Sequence, residues 1–173
     1  MTASKQKRFA EGTSVPVSKT RDELEQLLAK HGAAQRMIVV DDADGRVRVQ
    51  FTMQARMIRL DMWTRPDGLP DPKRNSYDQK ASVPNGWGGW STQRRADWVT
   101  GRVEQFAREA WRRLLLITKA QLEIVADGSR SLEEVFLAHI LLPDGGTVGD
   151  RLKEQLEESY QHGTMPKLLG SGS

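Results

Sequence analysis

The chain has 173 residues, no cysteine, 38% hydrophobic residues and a formal net charge of +3 at pH 7. This length suits one domain with a buried core, and the lack of cysteine excludes disulfides and thiolate metal sites. No apolar run approaches the roughly 18 residues of a membrane span, and the first residues lack the apolar core of a signal peptide. We therefore expect a cytoplasmic protein with no membrane partner.

The N-terminal part of the sequence predicts a tail followed by a short helix. Residues 1–19 have the character of a flexible basic tail. Thr20 and Glu23 have the spacing of a capping box, and Gly32 is a typical helix stop. The pattern therefore predicts a helix between Thr20 and Gly32, with a buried face made by Leu24, Leu27 and Leu28.

Three strand-like segments follow, at residues 36–40, 46–53 and 56–63. Asp44-Gly45 is a strong hairpin signal, and a second tight connection lies around Gln54-Ala55. Alternation puts apolar residues on one face and arginines on the other. The apolar face comprises Val47, Val49, Phe51, Met53, Ile58, Leu60 and Met62. The opposite face comprises Arg46, Arg48, Gln50, Thr52, Met57, Arg59, Asp61 and Trp63.

The second half of the sequence predicts a long loop and three helices. Residues 64–90 are rich in proline, glycine and tryptophan, which favours a loop. An amphipathic helix is predicted from about Ser91 to Gly128. A capping box at Ser131 and Glu134 predicts a further helix that runs to Pro143. The last helix is expected between Thr147 and Gly163.

The order α-β-β-β-long loop-α-α-α predicts an α+β fold. A three-stranded sheet left bare on both faces is marginal in water, so we expect an antiparallel meander with one face packed by helices. Residues 20–169 would form a single domain that includes the loop at 64–90. Residues 170–173 would be a disordered Gly/Ser tail.

The search for catalytic or metal motifs gives negative expectations. His31, His139 and His162 lack metal-ligand spacing, and the acidic residues around Asp44 are typical of a turn. The stretch "NGWGGW" matches no phosphate-loop motif. We therefore expect no enzymatic activity, no metal and no cofactor.

The stretch "SVPNGWGGWSTQRRADW" (82–98) carries the strongest functional signal, since it holds three of the five tryptophans. Thr64 to Arg95 also contains six basic and three acidic residues, an excess equal to the whole chain's. Bases of single strands stack on exposed aromatic rings, and arginines contact phosphates. The sequence therefore predicts a single-stranded nucleic-acid site, with DNA favoured. Its residues are Trp87, Trp90, Arg94, Arg95 and Trp98 in the loop, and Arg46, Arg48, Arg59 and Trp63 on the sheet.

Two alternatives remain open at this point. The tryptophans can instead pack together under the loop as a small satellite core. A Trp/Arg loop also suits a protein-binding module that inhibits or recruits a host factor, because these residues dominate interface hot spots. Self-association as a homo-oligomer is also left open.

Three segments carry a resemblance: "GTSVPVSKTRDELEQLLAKHGA", "AHILLPDGGTVGD" and "YQHGTMPKLL". They resemble a family of small phage and prophage proteins that has no assigned function. Separately, the order helix, meander, long helix is similar to the core of phage single-strand annealing proteins. These resemblances imply a bacterial host cell and a role in recombination or replication, and they assign no residue a role.

Overall fold

A computed structural model describes residues 10–41, 44–69, 73 and 87–163 of the chain. The elements are α1 (Val17–Lys30), β1 (Ala34–Asp41), β2 (Arg46–Met53), β3 (Arg56–Trp63), α2 (Thr92–Ala126), α3 (Leu132–Phe136), a 3-10 turn (Leu137–His139) and α4 (Val148–His162). The strands form one antiparallel sheet in the order β1-β2-β3. The predicted α+β class and element order are confirmed.

The predicted alternation in β2 is confirmed residue by residue. Every second side chain from Val47 to Met53 is buried, and the residues between them are half-buried. Gln54 and Ala55 both have positive φ angles, 47° and 59°, as in the two-residue turns whose twist matches antiparallel strands. This local pattern fixes the register of β2 against β3.

Gly45 shows why the hairpin signal before β2 requires glycine. Its φ is +65°, and a Cβ atom built there would lie 2.5 Å from the Cβ of Arg65. The carbonyl of Gly45 accepts hydrogen bonds from the backbone N–H of Thr64 (2.7 Å) and from its hydroxyl (2.9 Å). Any larger side chain would displace the segment that leaves β3.

By contacts between Cα atoms the chain divides into two compact units. Unit 1 comprises Met1–Leu24, Val40–Val47 and Met62–Ile117, and unit 2 comprises Glu25–Val39, Arg48–Asp61 and Thr118–Ser173. In unit 1, the buried Trp111 has the guanidinium of Arg21 over its ring, with the Cζ atom 5.6 Å from the ring centroid. In unit 2, Phe51 and Phe136 pack edge to face with centroids 6.2 Å apart. The single domain predicted for residues 20–169 stays a prediction.

Helix α1 begins at Val17 rather than at Thr20, so the predicted cap is wrong. Thr20 is fully buried, and its hydroxyl donates to the carbonyl of Pro16 at 3.3 Å. Thr20 therefore lies inside α1 as a buried residue and does not cap the start of the helix. Residues 17–19 therefore belong to α1, and Gly12 N–H donates to Glu109 of α2 at 2.9 Å. Residues 1–9 and 170–173 lie outside the described residues, as do 70–72 and 74–86 of the predicted loop.

The helix predicted from Ser131 to Pro143 is shorter than expected. Its capping box at Ser131 and Glu134 is present, but α3 ends at Phe136 and a single 3-10 turn follows. Ile140 forms a β-bridge with Ile58, and Leu141 N–H donates to the carbonyl of Met57 at 2.8 Å. The unpaired backbone groups at the edge of β3 thus hold this segment extended.

The remaining helix boundaries agree with the prediction. Ser91 accepts a hydrogen bond from the backbone of Arg94 at the start of α2. Thr147 and Asp150 form a capping box at the start of α4, and Gly163 ends that helix with a φ of 63°. In the part of the chain that the structure describes, no helix combines the length and the apolar character that crossing a membrane requires.

Candidate nucleic-acid interface

Three indoles pack against one another where the chain enters α2. Trp87 is only 1% exposed. The ring centroid of Trp90 lies 5.6 Å from that of Trp87, and the centroid of Trp98 lies 5.5 Å from it, both in edge-to-face geometry. Trp87 is therefore the centre of a small aromatic core in unit 1, flanked by two half-buried rings.

Each of these indoles has a guanidinium over its ring. The Cζ of Arg94 lies 4.2 Å from the ring centroid of Trp90, and the Cζ of Arg102 lies 5.6 Å from that of Trp98. The Cζ of Arg95 lies 5.8 Å from the centroid of Trp87. These distances are within the range of cation–π attraction. We call Trp87, Trp90, Arg94, Arg95, Trp98 and Arg102 the Trp/Arg cluster.

The arginines of the Trp/Arg cluster form no close ion pair among the described residues, although Arg102 acts at longer range on the carboxyl group of Glu109. Across the described ranges, no carboxylate lies within 4 Å of the guanidinium of Arg94, Arg95 or Arg102. The nearby Asp97 accepts a hydrogen bond from Gln93 at 2.9 Å. Arg94 and Arg102 are exposed, and Arg95 is half-buried. The cluster thus offers guanidinium N–H groups to an anion.

The structure brings together all five residues predicted for the loop. The expectation that Trp87 presents a free ring face is wrong, because neighbouring rings and Arg95 enclose it. Of the two alternatives for these rings, packing into a satellite core describes Trp87. Trp90 and Trp98 keep part of their surface in solvent.

Sequence reasoning missed Arg102, whose guanidinium lies over the ring of Trp98. Residues four apart lie next to each other on a helix surface, and Arg102 follows Trp98 by four positions inside α2. The spacing of four residues between Trp98 and Arg102 in a predicted helix is the signal that could have identified Arg102.

The sheet residues predicted for the site are not members of the Trp/Arg cluster, and their surroundings differ from one residue to the next. In unit 1, the Cζ of Arg46 lies 5.7 Å from the ring centroid of Trp63, and Trp63 is 59% exposed. In unit 2, the Nε of Arg48 lies 3.1 Å from Asp61. Arg46 and Trp63 therefore form a second arginine–indole pair, whereas the charge of Arg48 is compensated.

The expectation that Arg59 lies on an open face is also wrong. Its side chain forms ion pairs with Asp61 and Asp150, both at 2.9 Å, and donates to the carbonyl of Gly145 at 2.8 Å. Only 9% of the residue is exposed. The segment before α4 covers this part of β3, so the guanidinium of Arg59 serves unit 2 as an internal anchor.

The shifted carboxyl groups of the described residues have structural explanations. Partial burial raises the pKa of Glu109. Hydrogen bonds from Gln105 and Gly12 and the positive charges of Arg113 and Arg102 lower it by more, so the net shift of this pKa is downward. The pKa of Glu134 is lowered by its capping hydrogen bonds with Ser131. Among the described residues, no group of three or more histidine, aspartate or glutamate side chains is arranged to hold a metal ion.

A cavity of about 370 Å³ lies in unit 1 beside α2. Its lining includes Val17, Gly45, Thr64, Glu104 and Arg108. The carboxylate of Glu104 and the guanidinium of Arg108 lie 3.8 Å apart and compensate each other's charge.

Comparison with known proteins returned no match: no family model, no curated protein and no solved structure aligns significantly with the chain. The resemblance to phage and prophage proteins therefore stays a prediction.

Proposed function

We propose that the protein binds single-stranded nucleic acid, with DNA favoured, through the Trp/Arg cluster and without catalysing a reaction. One observation carries the proposal. Three guanidiniums lie over indole rings, and none of them has a carboxylate partner within 4 Å in the described ranges. A cationic group that is held in place with no carboxylate at ion-pair distance suits an anionic ligand.

The stacking prepares the arginines for phosphate. A guanidinium on an indole face is held by cation–π attraction of about 0.5–1 kcal/mol at an exposed site. Its N–H groups lie at the edge of the plane, where they can fork onto phosphate oxygens. Arg94 and Arg102 are eight residues apart in α2, a separation of about 12 Å along the helix axis. The cluster is therefore long enough to contact more than one phosphate.

The same geometry reduces the contribution of base stacking to the free energy of binding. Stacking of a base on a free aromatic ring is worth roughly 1–3 kcal/mol. Trp87 is enclosed, and one face of Trp90 and of Trp98 is already occupied by arginine. The proposed binding is therefore dominated by phosphate contacts, and such contacts carry no base sequence preference.

The biological setting belongs to the same proposal and rests on sequence resemblance alone. It comprises a phage or prophage origin, the cytoplasm of a bacterial host cell and assistance to recombination or replication. Of the resemblances, the similarity in element order to single-strand annealing proteins is the one that favours DNA.

The direct test is a salt titration of oligonucleotide binding. Fluorescence anisotropy of a labelled oligothymidylate would be followed with the full chain and with the double variant Arg94→Gln/Arg102→Gln. Each neutralised phosphate of a single strand contributes about −0.7 to the slope of log K against log salt, so three guanidiniums give a slope of about −2. Affinity should then fall about 20-fold between 50 and 200 mM salt, against about threefold for the double variant.

The matched control is Arg130→Gln, which removes one exposed arginine that follows α2. It should leave both the affinity at 50 mM salt and the slope unchanged. Equal binding by the double variant, or no binding by the parent chain at low salt, would exclude the Trp/Arg cluster as the site. Duplex DNA and single-stranded RNA as competitors decide the preferred form of nucleic acid.

A protein partner is the second candidate, and the support that buried Trp87 gives to the half-buried rings of Trp90 and Trp98 favours it. Trp90, Trp98 and the exposed arginines form a surface patch over the enclosed Trp87, and tryptophan and arginine are enriched in interface hot spots. The partner would be a host factor with an acidic surface. Capture of such a factor that persists at high salt, together with no oligonucleotide binding, supports this candidate.

A further inference from the structure

The outer edge of β1 is uncovered in the part of the chain that the structure describes. In the strand order β1-β2-β3, β1 is an edge strand. Seven of its eight residues are exposed, and the eighth, Ile38, is half-buried. Met37 is 48% exposed and Val39 is 45% exposed. At the opposite edge of the sheet, β3 carries the β-bridge between Ile58 and Ile140.

The sequence of β1 lacks the usual protection of an edge strand. Natural edge strands carry charged residues or proline near their middle, which discourages pairing with another chain. The centre of β1 is Met37, Ile38 and Val39, with no charge and no proline. Gln35 has a φ of +47°, so the regular part of the strand begins at Arg36. An open, apolar and regular edge is a template for one more strand.

We propose that this edge pairs with β1 of a second copy of the chain, antiparallel, around a two-fold axis at Ile38. Charge selects the direction. Arg36 opens the regular part of the strand and Asp41 closes it. Antiparallel pairing keeps the like charges of the two strands apart, whereas parallel pairing in register puts them side by side.

Polarity selects the register. A two-fold axis normal to the sheet keeps every side chain on its own face, so allowed registers differ by two residues. With the axis at Ile38, Met37 stands opposite Val39 of the second copy, and Ile38 stands opposite its own counterpart. A shift in one direction places Met37 opposite Asp41, and a shift in the other places Gln35 opposite Val39. The register at Val39 also pairs apolar residues at its centre, but it places the short carboxylate of Asp41 opposite Met37. The register at Ile38 places Arg36 opposite Val40, where the aliphatic stem of arginine packs well. We therefore choose the register at Ile38, which joins two sheets into one of six strands.

The first test is the mass of the full chain in solution. Sedimentation velocity across the micromolar range should show a species of twice 19.5 kDa. This species should persist at high salt, because it rests on apolar and backbone pairing. Val39→Lys should convert it to the monomer, and Val39→Thr, which keeps strand propensity, should weaken it with an unchanged far-UV circular dichroism spectrum. Leu156→Lys, at a comparably exposed residue of α4, is the matched control and should remain dimeric.

The second test addresses the register and uses the absence of native cysteine. Ile38→Cys should form a covalent dimer under mild oxidation, whereas Leu156→Cys should not. A monomer at every concentration, or a dimer that survives Val39→Lys, overturns the proposal. A dimer in which Ile38→Cys fails to cross-link overturns the register. Loss of oligonucleotide binding by Arg94→Gln/Arg102→Gln with an intact dimer separates this inference from the proposed function.

Discussion

Arg59 of β3 and Asp150 of α4 form an ion pair with 2.9 Å between Nη2 and Oδ2, although they are 91 positions apart in the sequence. Asp150 also accepts the backbone N–H of Thr147 at 3.0 Å, so one carboxylate serves both a helix cap and the sheet. The pair joins β3 to the first turn of α4 within unit 2.

Arg59→Met should destabilise the protein without affecting oligonucleotide binding. The change keeps most of the apolar stem but removes the hydrogen bonds to Gly145 and to Asp150. Because the side chain of Asp150 is 62% exposed, solvent screens the loss, and we expect about 1–3 kcal/mol in the free energy of unfolding. Urea denaturation measures it, and anisotropy measures binding. If Arg59→Met binds the oligonucleotide severalfold more weakly and is as stable as the parent chain, Arg59 belongs to the binding site.

Trp87→Ala should be one of the most destabilising single changes in unit 1. Truncation of a buried aromatic residue typically costs 3–5 kcal/mol, and Trp87 contacts two further indoles. The midpoint of urea unfolding should fall accordingly. Trp87→Phe, which fills part of the space, serves as control and should lose less.

Trp90→Ala should lower oligonucleotide affinity more than it lowers stability. The ring is half-buried, so its truncation leaves a smaller cavity, but Arg94 loses the surface that holds its guanidinium. We expect severalfold weaker binding at 50 mM salt and a smaller change in the unfolding midpoint than for Trp87→Ala. Trp90→Phe retains an aromatic face and should bind at nearly the parent affinity. If Trp90→Ala binds as well as the parent chain, the indole has no part in presenting Arg94.

Thr147→Ala should cost about 1 kcal/mol in the free energy of unfolding. The hydroxyl of Thr147 accepts the backbone N–H of Asp150 at 3.1 Å, and without it that donor loses its partner at the start of α4. Thermal or urea denaturation measures the difference. Thr100→Ala, at an exposed position inside α2, is the control and should stay within about 0.5 kcal/mol of the parent chain.

The contribution of Glu109 to stability should depend on pH. Its pKa is lowered below the ordinary value of 4.5, so the folded state favours the charged form. The stabilisation is therefore fully present above the pKa of the unfolded chain, and it disappears as pH falls from 4.5 through the folded pKa. The gap in urea midpoint between the parent chain and Glu109→Gln should close over that interval. A gap that widens on acidification would contradict the assignment.

Local patterns were sufficient for most of the secondary structure. The predicted segments 46–53 and 56–63 coincide with β2 and β3, since alternation and a two-residue turn act within a few positions. The caps at Ser131 and Thr147 are also correct, because a capping box is complete within four residues. Thr20 shows the limit of such patterns. It has a cap-like sequence context, yet it is buried inside α1.

The five loop residues of the candidate site were predictable from the sequence, whereas Arg102 was missed and the predicted sheet residues lie elsewhere. Tryptophan and arginine four positions apart within a helix meet on its surface, as Trp98 and Arg102 do in α2. Which ring becomes the buried centre depends on how the turn at Trp87, with a φ of 61°, directs that side chain. Periodicity contains no information about that turn.

The sequence by itself determined the helices, the strands and the alternation of β2, because these depend on residues that are neighbours along the chain. Only the tertiary structure decided that Arg59 is buried and Trp87 enclosed, and that residues 140–142 leave the helical pattern. The partners of Arg59 lie 86 and 91 positions away. The exposure of a side chain depends on such distant partners. Its position in the alternating pattern specifies only the face of the strand to which it is expected to belong.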